Sequence, residues 1–230
     1  MADPHTLKRA VIACRVMEQE LKFLLPQCPA DVSVSLRFLD QQLHLSPEKM
    51  PAVVQAAVDE AAVWADEIVL GYGLCSNGIV GVCAAAQNLY VPRVHDCVAL
   101  LLGSREAYYK VFRERAGTYF IAPGWVSAQK DPLGLLENDY IPRMGREDAL
   151  WGIQEELKHY SHIALIDTGA GDSDYLRRRA KENARFLDKD YMEIQGSPAY
   201  FRKILFGPHT EPDFVCMPPG VQVAQKPFLE

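Results

Sequence analysis

The sequence has no uninterrupted apolar run of the ~18–20 residues that a membrane-spanning helix requires. Its first ten residues, MADPHTLKRA, also lack the basic-then-apolar order of a secretory signal. Basic residues are not concentrated either, because 24 Lys and Arg are interspersed among 30 Asp and Glu and the formal net charge is -6. We therefore expect a cytoplasmic protein with neither a membrane nor a nucleic acid as its partner.

Cysteine is sparse, with six residues in a chain of 230. Such a small, irregularly spaced set is not the disulfide framework of a secreted protein, and intracellular thiols normally stay reduced. The chain also lacks a CxxC or HExxH motif, the GxGxxG fingerprint and the Lys-Ser/Thr end of a phosphate-binding loop. These absences argue against nucleotide binding and against a metal site fixed by local spacing.

What is present is an alternation of short apolar runs rich in β-formers and segments of helical periodicity. Strands are predicted at residues 9–14, 32–39, 67–72, 89–94, 117–123, 162–169 and 191–197. Helices are predicted near residues 16–25, 47–61, 79–89, 96–112, 146–160, 174–187 and 200–205. This order predicts an α/β fold, Rossmann-like, with a mostly parallel sheet and helices on both faces.

Domain organisation follows from length and from one aperiodic segment. With 49% hydrophobic residues, residues 1–230 can bury a full core, which predicts a single α/β domain; two small lobes are the alternative. Residues 123–146 contain prolines and little periodicity, so we predict a lobe boundary or an active-site lid there.

Residues capable of chemistry follow several predicted strands. In open α/β sheets, ligands collect at the edge where the carboxyl ends of parallel strands meet. Three thiols follow such strands, Cys14 after RAVIA, Cys75 within GYGLCSNG and Cys97 after LYVPRVHD. Thiolates select zinc, iron–sulfur clusters or copper(I), so these cysteines are predicted metal ligands. Cys97 should also have a lowered pKa, because Asp96 would begin a helix there.

Polar residues near these thiols are candidates for catalysis. His95 is predicted to complete the coordination, orient a substrate or act as acid and base; a satisfied helix-capping histidine is the alternative. Asp96 and Arg93 are the other predicted catalytic residues, and Arg93 could pair with a carboxylate or phosphate. His44 is either a surface loop residue or a further member of the same edge.

Four further residues are assigned to binding of a cofactor or substrate. Gly73 and Asn77 belong to the glycine-rich turn around Cys75, and Trp125 follows the strand GTYFIAP. Asp167 ends the strand HIALI, where it and the loop after it could hydrogen-bond a small molecule. An ordinary turn is the alternative for this acidic, glycine-containing loop.

Six strings resemble the domain-of-unknown-function family 1638 of bacteria and archaea, in order over roughly residues 9–200. They are RAVIAC, LDQQLHLSP, IVLGYGLCSNG, PRVHDCVALLLGSRE, GTYFIAPGW and IDTG, of which GYGLC and PRxHDC are the most specific. The resemblance implies no established reaction. It implies a setting, since members occur mainly in anaerobes near corrinoid proteins and methyltransferases. The family pattern has glycine where this chain has Ser76.

These observations lead to hypotheses of different classes. The first is an enzyme of anaerobic one-carbon or corrinoid-linked methyl metabolism, in which the three cysteines hold an iron–sulfur cluster or zinc beside a small-molecule substrate. The second is a non-catalytic carrier of metal or corrinoid, with a corrinoid protein or a methyltransferase as its partner. In a third, metal-free arrangement, Cys97 is a nucleophile near His95.

Overall fold

The strands of the chain lie in two sheets, each within its own unit. The computed structural model describes residues 6–229. One unit comprises the described parts of Met1–Ser104 and Pro198–Glu230, and the other is Arg105–Ser197. None of the helices in residues 6–229 is long and apolar enough to cross a membrane.

All seven predicted strands are present, and an eighth follows them. In chain order the strands are β1 (Leu7–Cys14), β2 (Val32–Leu39), β3 (Glu67–Gly71), β4 (Leu89–Pro92), β5 (Thr118–Ile121), β6 (His162–Asp167), β7 (Asp190–Gln195) and β8 (Phe214–Met217). The α-helices are α1 (Glu18–Leu24), α2 (Met50–Ala62), α3 (Cys97–Leu102), α4 (Arg105–Glu114), α5 (Pro123–Ser127), α6 (Pro132–Leu135), α7 (Ile141–Met144), α8 (Arg146–Leu157), α9 (Ser173–Phe186), α10 (Ala199–Phe206) and α11 (Lys226–Leu229).

The sheet of the first unit has the order β2-β1-β3-β4-β8. Its first four strands are parallel, and β8 pairs antiparallel with β4, so the sheet is mixed. The central strand β1 is buried from Arg9 to Cys14, as expected for a parallel strand covered by protein. The register sets Cys14 opposite Leu39 and Ala13 opposite Gly71. The four parallel strands therefore end at one edge of the sheet.

The second unit contains the parallel sheet β5-β6-β7. Its core joins Ile163 and Leu165 of β6 to apolar residues of α8 and α9, such as Ile153 and Ala180. Residues 123–146, predicted from sequence as a boundary or lid, lie inside this unit and form the short helices α5, α6 and α7 with one turn of π-helix. The α/β prediction is thus confirmed in both units.

The helix predicted at residues 79–89 is wrong, because residues 79–88 form turns and irregular backbone and Leu89 begins β4. Its backbone groups are bonded to distant partners instead of to the next turn of a helix. The Gln55 side chain donates to the carbonyl of Cys83 and accepts from its N–H, at 2.9 and 3.0 Å. Gly81 N–H donates to the carbonyl of Val223, whose own N–H donates to Val82. Tertiary hydrogen bonds here outweigh the helical tendency of a run of small residues.

The segment predicted as one helix after Asp96 forms two helices. Asp96 accepts a hydrogen bond from the N–H of Val98 at 2.9 Å and caps α3, as the sequence predicts. The helix ends after one and a half turns at Gly103, whose φ of 85° is left-handed. The division between the two units follows at Ser104.

Candidate functional site

The edge where the four parallel strands end carries the candidate residues of the first unit. In sheet order, β2 leads to a 3₁₀ turn containing His44, and β1 ends in Cys14. The next strand, β3, leads to Cys75, and β4 leads to Cys97 at the start of α3. Four neighbouring strands therefore each deliver one imidazole or thiol to the same edge.

Backbone contacts join the loop after β3 to the loop after β4. The N–H groups of Leu74 and Cys75 donate to the carbonyls of Val94 and His95 at 2.9 and 2.8 Å. A Cβ at Gly73 would lie 2.7 Å from the amide nitrogen of Asp96, which is closer than real contacts allow. Gly73, predicted as a binding residue, thus has a structural task, because only glycine lets the two loops approach this closely.

The turn that carries Cys75 is left-handed over three successive non-glycine residues. The φ values of Cys75, Ser76 and Asn77 are 47°, 55° and 67°. Cys75 and Ser76 each cost about 1–2 kcal/mol here because the Cβ crowds the following carbonyl oxygen, whereas asparagine adopts this conformation more readily. A glycine at position 76 would adopt this conformation freely. Strain of this kind persists where the surroundings over-determine the backbone, as functional sites often do.

The three thiols are buried and close enough for their charges to interact. Cys14, Cys75 and Cys97 have exposed fractions of 1%, 5% and 8%. Burial raises the pKa of Cys14 to about 11. The pKa of Cys75 is raised by burial and then by the charge of Cys14, and that of Cys97 by burial and by the charges of both other cysteines. Without a cation, all three are neutral thiols at physiological pH.

The prediction of a lowered pKa for Cys97 is therefore wrong. The sequence places Cys97 correctly behind its N-cap Asp96, but α3 has only six residues and Cys97 is buried. Loss of water around the sulfur raises its pKa more than the nearby amides lower it. This result argues against the metal-free hypothesis, in which Cys97 is an activated nucleophile.

His44 is the histidine whose ring contacts a thiol. Its Nε2 lies 3.6 Å from the Sγ of Cys14, although the side chain as a whole is exposed. Partial burial of the imidazole ring lowers the pKa of His44, and the negative charge of Asp96 partly opposes this effect. His95 is half-buried, and its backbone carbonyl accepts a hydrogen bond from the N–H of Cys75.

Tyr72 was not predicted and lies among the three thiols. Its side chain is 1% exposed, and its hydroxyl has no hydrogen-bond partner within residues 6–229. Burial raises the pKa of Tyr72, and the charges of Cys14, Cys75 and Cys97 raise it further. The signal in the sequence is the tyrosine between two glycines of GYGLC, which is the last residue of the strand predicted at 67–72. A buried polar group beside three thiols, without a hydrogen-bond partner in residues 6–229, calls for a functional explanation.

The donor set fits zinc or an iron–sulfur cluster by its chemistry, because thiols and an imidazole are the ligands that these groups prefer. The arrangement is not a preformed site. Within the described part of the chain, no three His, Cys, Asp or Glu side chains are placed so that they could hold a metal ion. Some of these side chains would therefore have to turn to other staggered rotamers for the whole set to share one ion.

Arg93 and Asp96 make contacts that stabilise the fold of the first unit. Arg93 donates to the carbonyl of Pro227 and to Glu211, both at 2.7 Å, and so holds the C-terminal segment. Asp96 caps α3, as described above. Their catalytic roles stay predictions.

Trp125 and Asp167 belong to the second unit. Trp125 lies half-buried in α5. Asp167, at the end of β6, accepts hydrogen bonds from the guanidinium of Arg177 at 2.8 Å and from the N–H of Gly169 at 3.0 Å. Its carboxylate is satisfied within the unit, and the assignment of both residues to binding stays a prediction.

Comparison with known proteins supports the resemblance seen in the sequence. No match was found among curated proteins or among solved structures. A family model described as "Protein of unknown function (DUF1638)" matches residues 38–205. The matched region includes His44, Cys75 and Cys97, whereas Cys14 precedes it. Because the match covers well over half of the 230 residues, the chain belongs to the DUF1638 family.

Proposed function

We propose that this protein is a metal-dependent enzyme whose Cys14, Cys75 and Cys97 bind zinc or an iron–sulfur cluster next to a small-molecule substrate. The proposal rests on three buried thiols from adjacent strand ends near the Tyr72 hydroxyl, which has no hydrogen-bond partner in the described part of the chain. The charge of Cys14 raises the pKa of Cys75, and the charges of both raise the pKa of Cys97, so the cluster resists ionisation until a cation compensates the charge.

A purely structural role explains these residues less well. Buried cysteine commonly acts as a small hydrophobe, and three of them could simply fill a core. An apolar core would not require a left-handed turn at Cys75, nor an unpaired hydroxyl, whose burial costs about 1–3 kcal/mol. Strain and an unsatisfied polar group at the same place are features of a site that binds something.

The chemistry follows from the ligands. Zinc held by thiolates activates a thiol or water as a nucleophile, and an iron–sulfur cluster held by three cysteines has one iron open to substrate. In either form the three sulfurs of this chain hold the group. His95, whose carbonyl is bonded to the N–H of Cys75, is the proposed acid–base residue beside it.

The metabolic setting rests on the family resemblance. Anaerobic one-carbon or corrinoid-linked methyl metabolism is consistent with a thiolate-bound metal, because such centres fit methyl transfer to a thiol. A corrinoid protein or a methyltransferase is the proposed partner.

Burial of the thiols favours one alternative, a carrier that delivers metal or a corrinoid to a methyltransferase. Cys75 and Cys97 are each less than a tenth exposed, which protects bound cargo and restricts access of a substrate. A carrier needs the same thiols but no acid–base group. His95→Ala therefore separates the two functions: an enzyme would keep its metal and lose turnover, whereas a carrier would keep both its metal and its delivery.

The first experiment is elemental analysis with an absorption spectrum on protein purified without oxygen. Cys75→Ala is compared with Cys216→Ala, which removes an exposed thiol of β8 in the same unit. We expect iron with a brown colour, or near one zinc per chain, in the wild type and in Cys216→Ala, and loss of the metal in Cys75→Ala. Metal-free wild-type protein, or equal metal in both variants, would contradict the proposal.

A further inference from the structure

We propose that His44 supplies the fourth ligand of the resting metal site, beside the three cysteines, and that it is the ligand a substrate displaces. This inference rests on the proposed function, since it concerns the same site. It assigns one ligand to each of four adjacent strand ends, with His44 after β2 and the cysteines after β1, β3 and β4.

The separation of His44 and Cys14 matches that of two ligands on one ion. Zinc lies ~2.3 Å from a sulfur ligand and ~2.0–2.1 Å from a histidine nitrogen, and a tetrahedral angle between these bonds puts sulfur and nitrogen about 3.6 Å apart. The Nε2 of His44 and the Sγ of Cys14 are 3.6 Å apart. In the metal-free chain the same separation serves a thiol–imidazole contact. An ion could therefore enter between these two atoms without moving either side chain far.

The local backbone holds His44 in place. The turn Gln41–Leu45 begins at Asp40, whose side chain accepts a hydrogen bond from the N–H of Gln42 at 2.8 Å. Asp40 directly follows β2, which pairs with β1 along its whole length up to Leu39 and Cys14. The position of His44 is thus set by the strand that neighbours the Cys14 strand.

His95 is the competing candidate, and the contacts favour His44. The carbonyl of His95 accepts the N–H of Cys75, which fixes its main chain beside the site. Within residues 6–229 the ring of His95 makes no hydrogen bond with a thiol, whereas the ring of His44 contacts Cys14 directly. A ligand must present a ring nitrogen toward the sulfurs, and His44 is the histidine that does so.

The test is titration of Co²⁺ into metal-free protein without oxygen, with absorption as the readout, because sulfur-to-cobalt charge transfer reports the number of thiolates. We compare the wild type with His44→Ala, His44→Cys and His95→Ala. His159→Ala, at an exposed position in the second unit, serves as the surface control. Circular dichroism of each variant confirms that it is folded.

We expect His44→Ala to bind Co²⁺ at least 10-fold more weakly, because even the loss of a residue that only orients a ligand costs about 10–100-fold. His44→Cys should restore binding and increase the charge-transfer intensity by about one third, from three thiolates to four. His95→Ala and His159→Ala should leave the Co²⁺ spectrum unchanged.

The outcomes separate the two proposals. If the wild type binds Co²⁺ through three thiolates but His44→Ala does so equally well, His44 is not a ligand and the thiol site stands. If His95→Ala alone weakens binding, the fourth ligand is His95. A His44→Cys variant without added charge transfer would also contradict the inference. If the wild type takes up no Co²⁺, the three-thiol site itself is wrong, and the inference fails with it.

Discussion

Replacing Tyr72 by phenylalanine should stabilise the metal-free protein and weaken its binding of metal. The substitution removes one hydroxyl and leaves the ring. In the metal-free chain that hydroxyl is buried and has no hydrogen-bond partner within residues 6–229, so its removal eliminates a desolvation cost without breaking a bond. If the proposed metal is bound, a thiolate sulfur would become available as an acceptor for the Tyr72 hydroxyl, and the substitution would remove that hydrogen bond.

The two effects have opposite signs and comparable size. An unsatisfied buried polar group costs about 1–3 kcal/mol, and removing the hydroxyl recovers this amount. The small void left by the oxygen offsets part of it, so the free energy of unfolding should rise by about 1–2 kcal/mol. A hydrogen bond to a charged acceptor contributes about 1.5–3 kcal/mol, which corresponds to a loss of metal affinity of about 10- to 100-fold.

The assay is urea unfolding with a chelator present, followed by Co²⁺ titration of the same samples. Tyr200→Phe is the matched control, because Tyr200 is also buried in the first unit but packs against Phe214. We expect the control to bind Co²⁺ like the wild type. A Tyr72→Phe protein that is less stable without metal, or that binds Co²⁺ as tightly as the wild type, would refute the placement of this hydroxyl among the thiols.

Three other substitutions follow from packing and charge. Gly71→Ala should lower the free energy of unfolding by about 1–3 kcal/mol, measured with urea, since the new Cβ would lie 2.6 Å from that of Ala13 on the paired strand; no loss would contradict the β1–β3 packing. Ser76→Gly should raise stability by up to about 1 kcal/mol, because relief of the left-handed strain exceeds the entropy cost of glycine; destabilisation would contradict the turn geometry. Burial and the nearby Arg9 lower the pKa of His209, so its stabilising contribution is present above the unfolded pKa of ~6.5 and is lost as pH falls through the lower folded value. His209→Gln should reduce this loss of stability at acid pH, measured as urea midpoints at a series of pH values. An unchanged dependence of the midpoint on pH would contradict the burial of a neutral ring.

The strand positions could be predicted from the sequence because each predicted strand is a local apolar run bounded by residues that favour turns. The stretch EIVLGYG predicts both β3 and its exit, and the structure ends the strand at Gly71. The strand β8 was missed, since FVCM is short and its pairing with β4 is a contact between residues more than a hundred positions apart. The turns at residues 79–89 were missed for the same reason, because their partners are Gln55 and the C-terminal segment.

The site could be predicted only as far as topology determines it. Parallel strands must end at a common edge, so the grouping of Cys14, Cys75 and Cys97 follows from the strand order. The depth of burial does not follow, and it reverses the expected pKa of Cys97. The contact of His44 with Cys14 depends on a 3₁₀ turn after β2, which periodicity does not reveal.

The left-handed turn places the thiol of Cys75 at a cost in backbone strain. Cys75 and Ser76 in this region cost about 2–4 kcal/mol together, against a typical domain stability of about 5–15 kcal/mol. Several contacts hold the turn in place: Cys75 N–H donates to His95, Gly78 N–H donates back to Cys75, and Met50 packs where a side chain at Gly78 would lie. A glycine-rich loop could connect β3 to β4 without such cost. The strained turn instead places a buried sulfur beside Cys14 and Cys97. A connecting loop does not need a sulfur at this position, whereas the proposed metal site needs one.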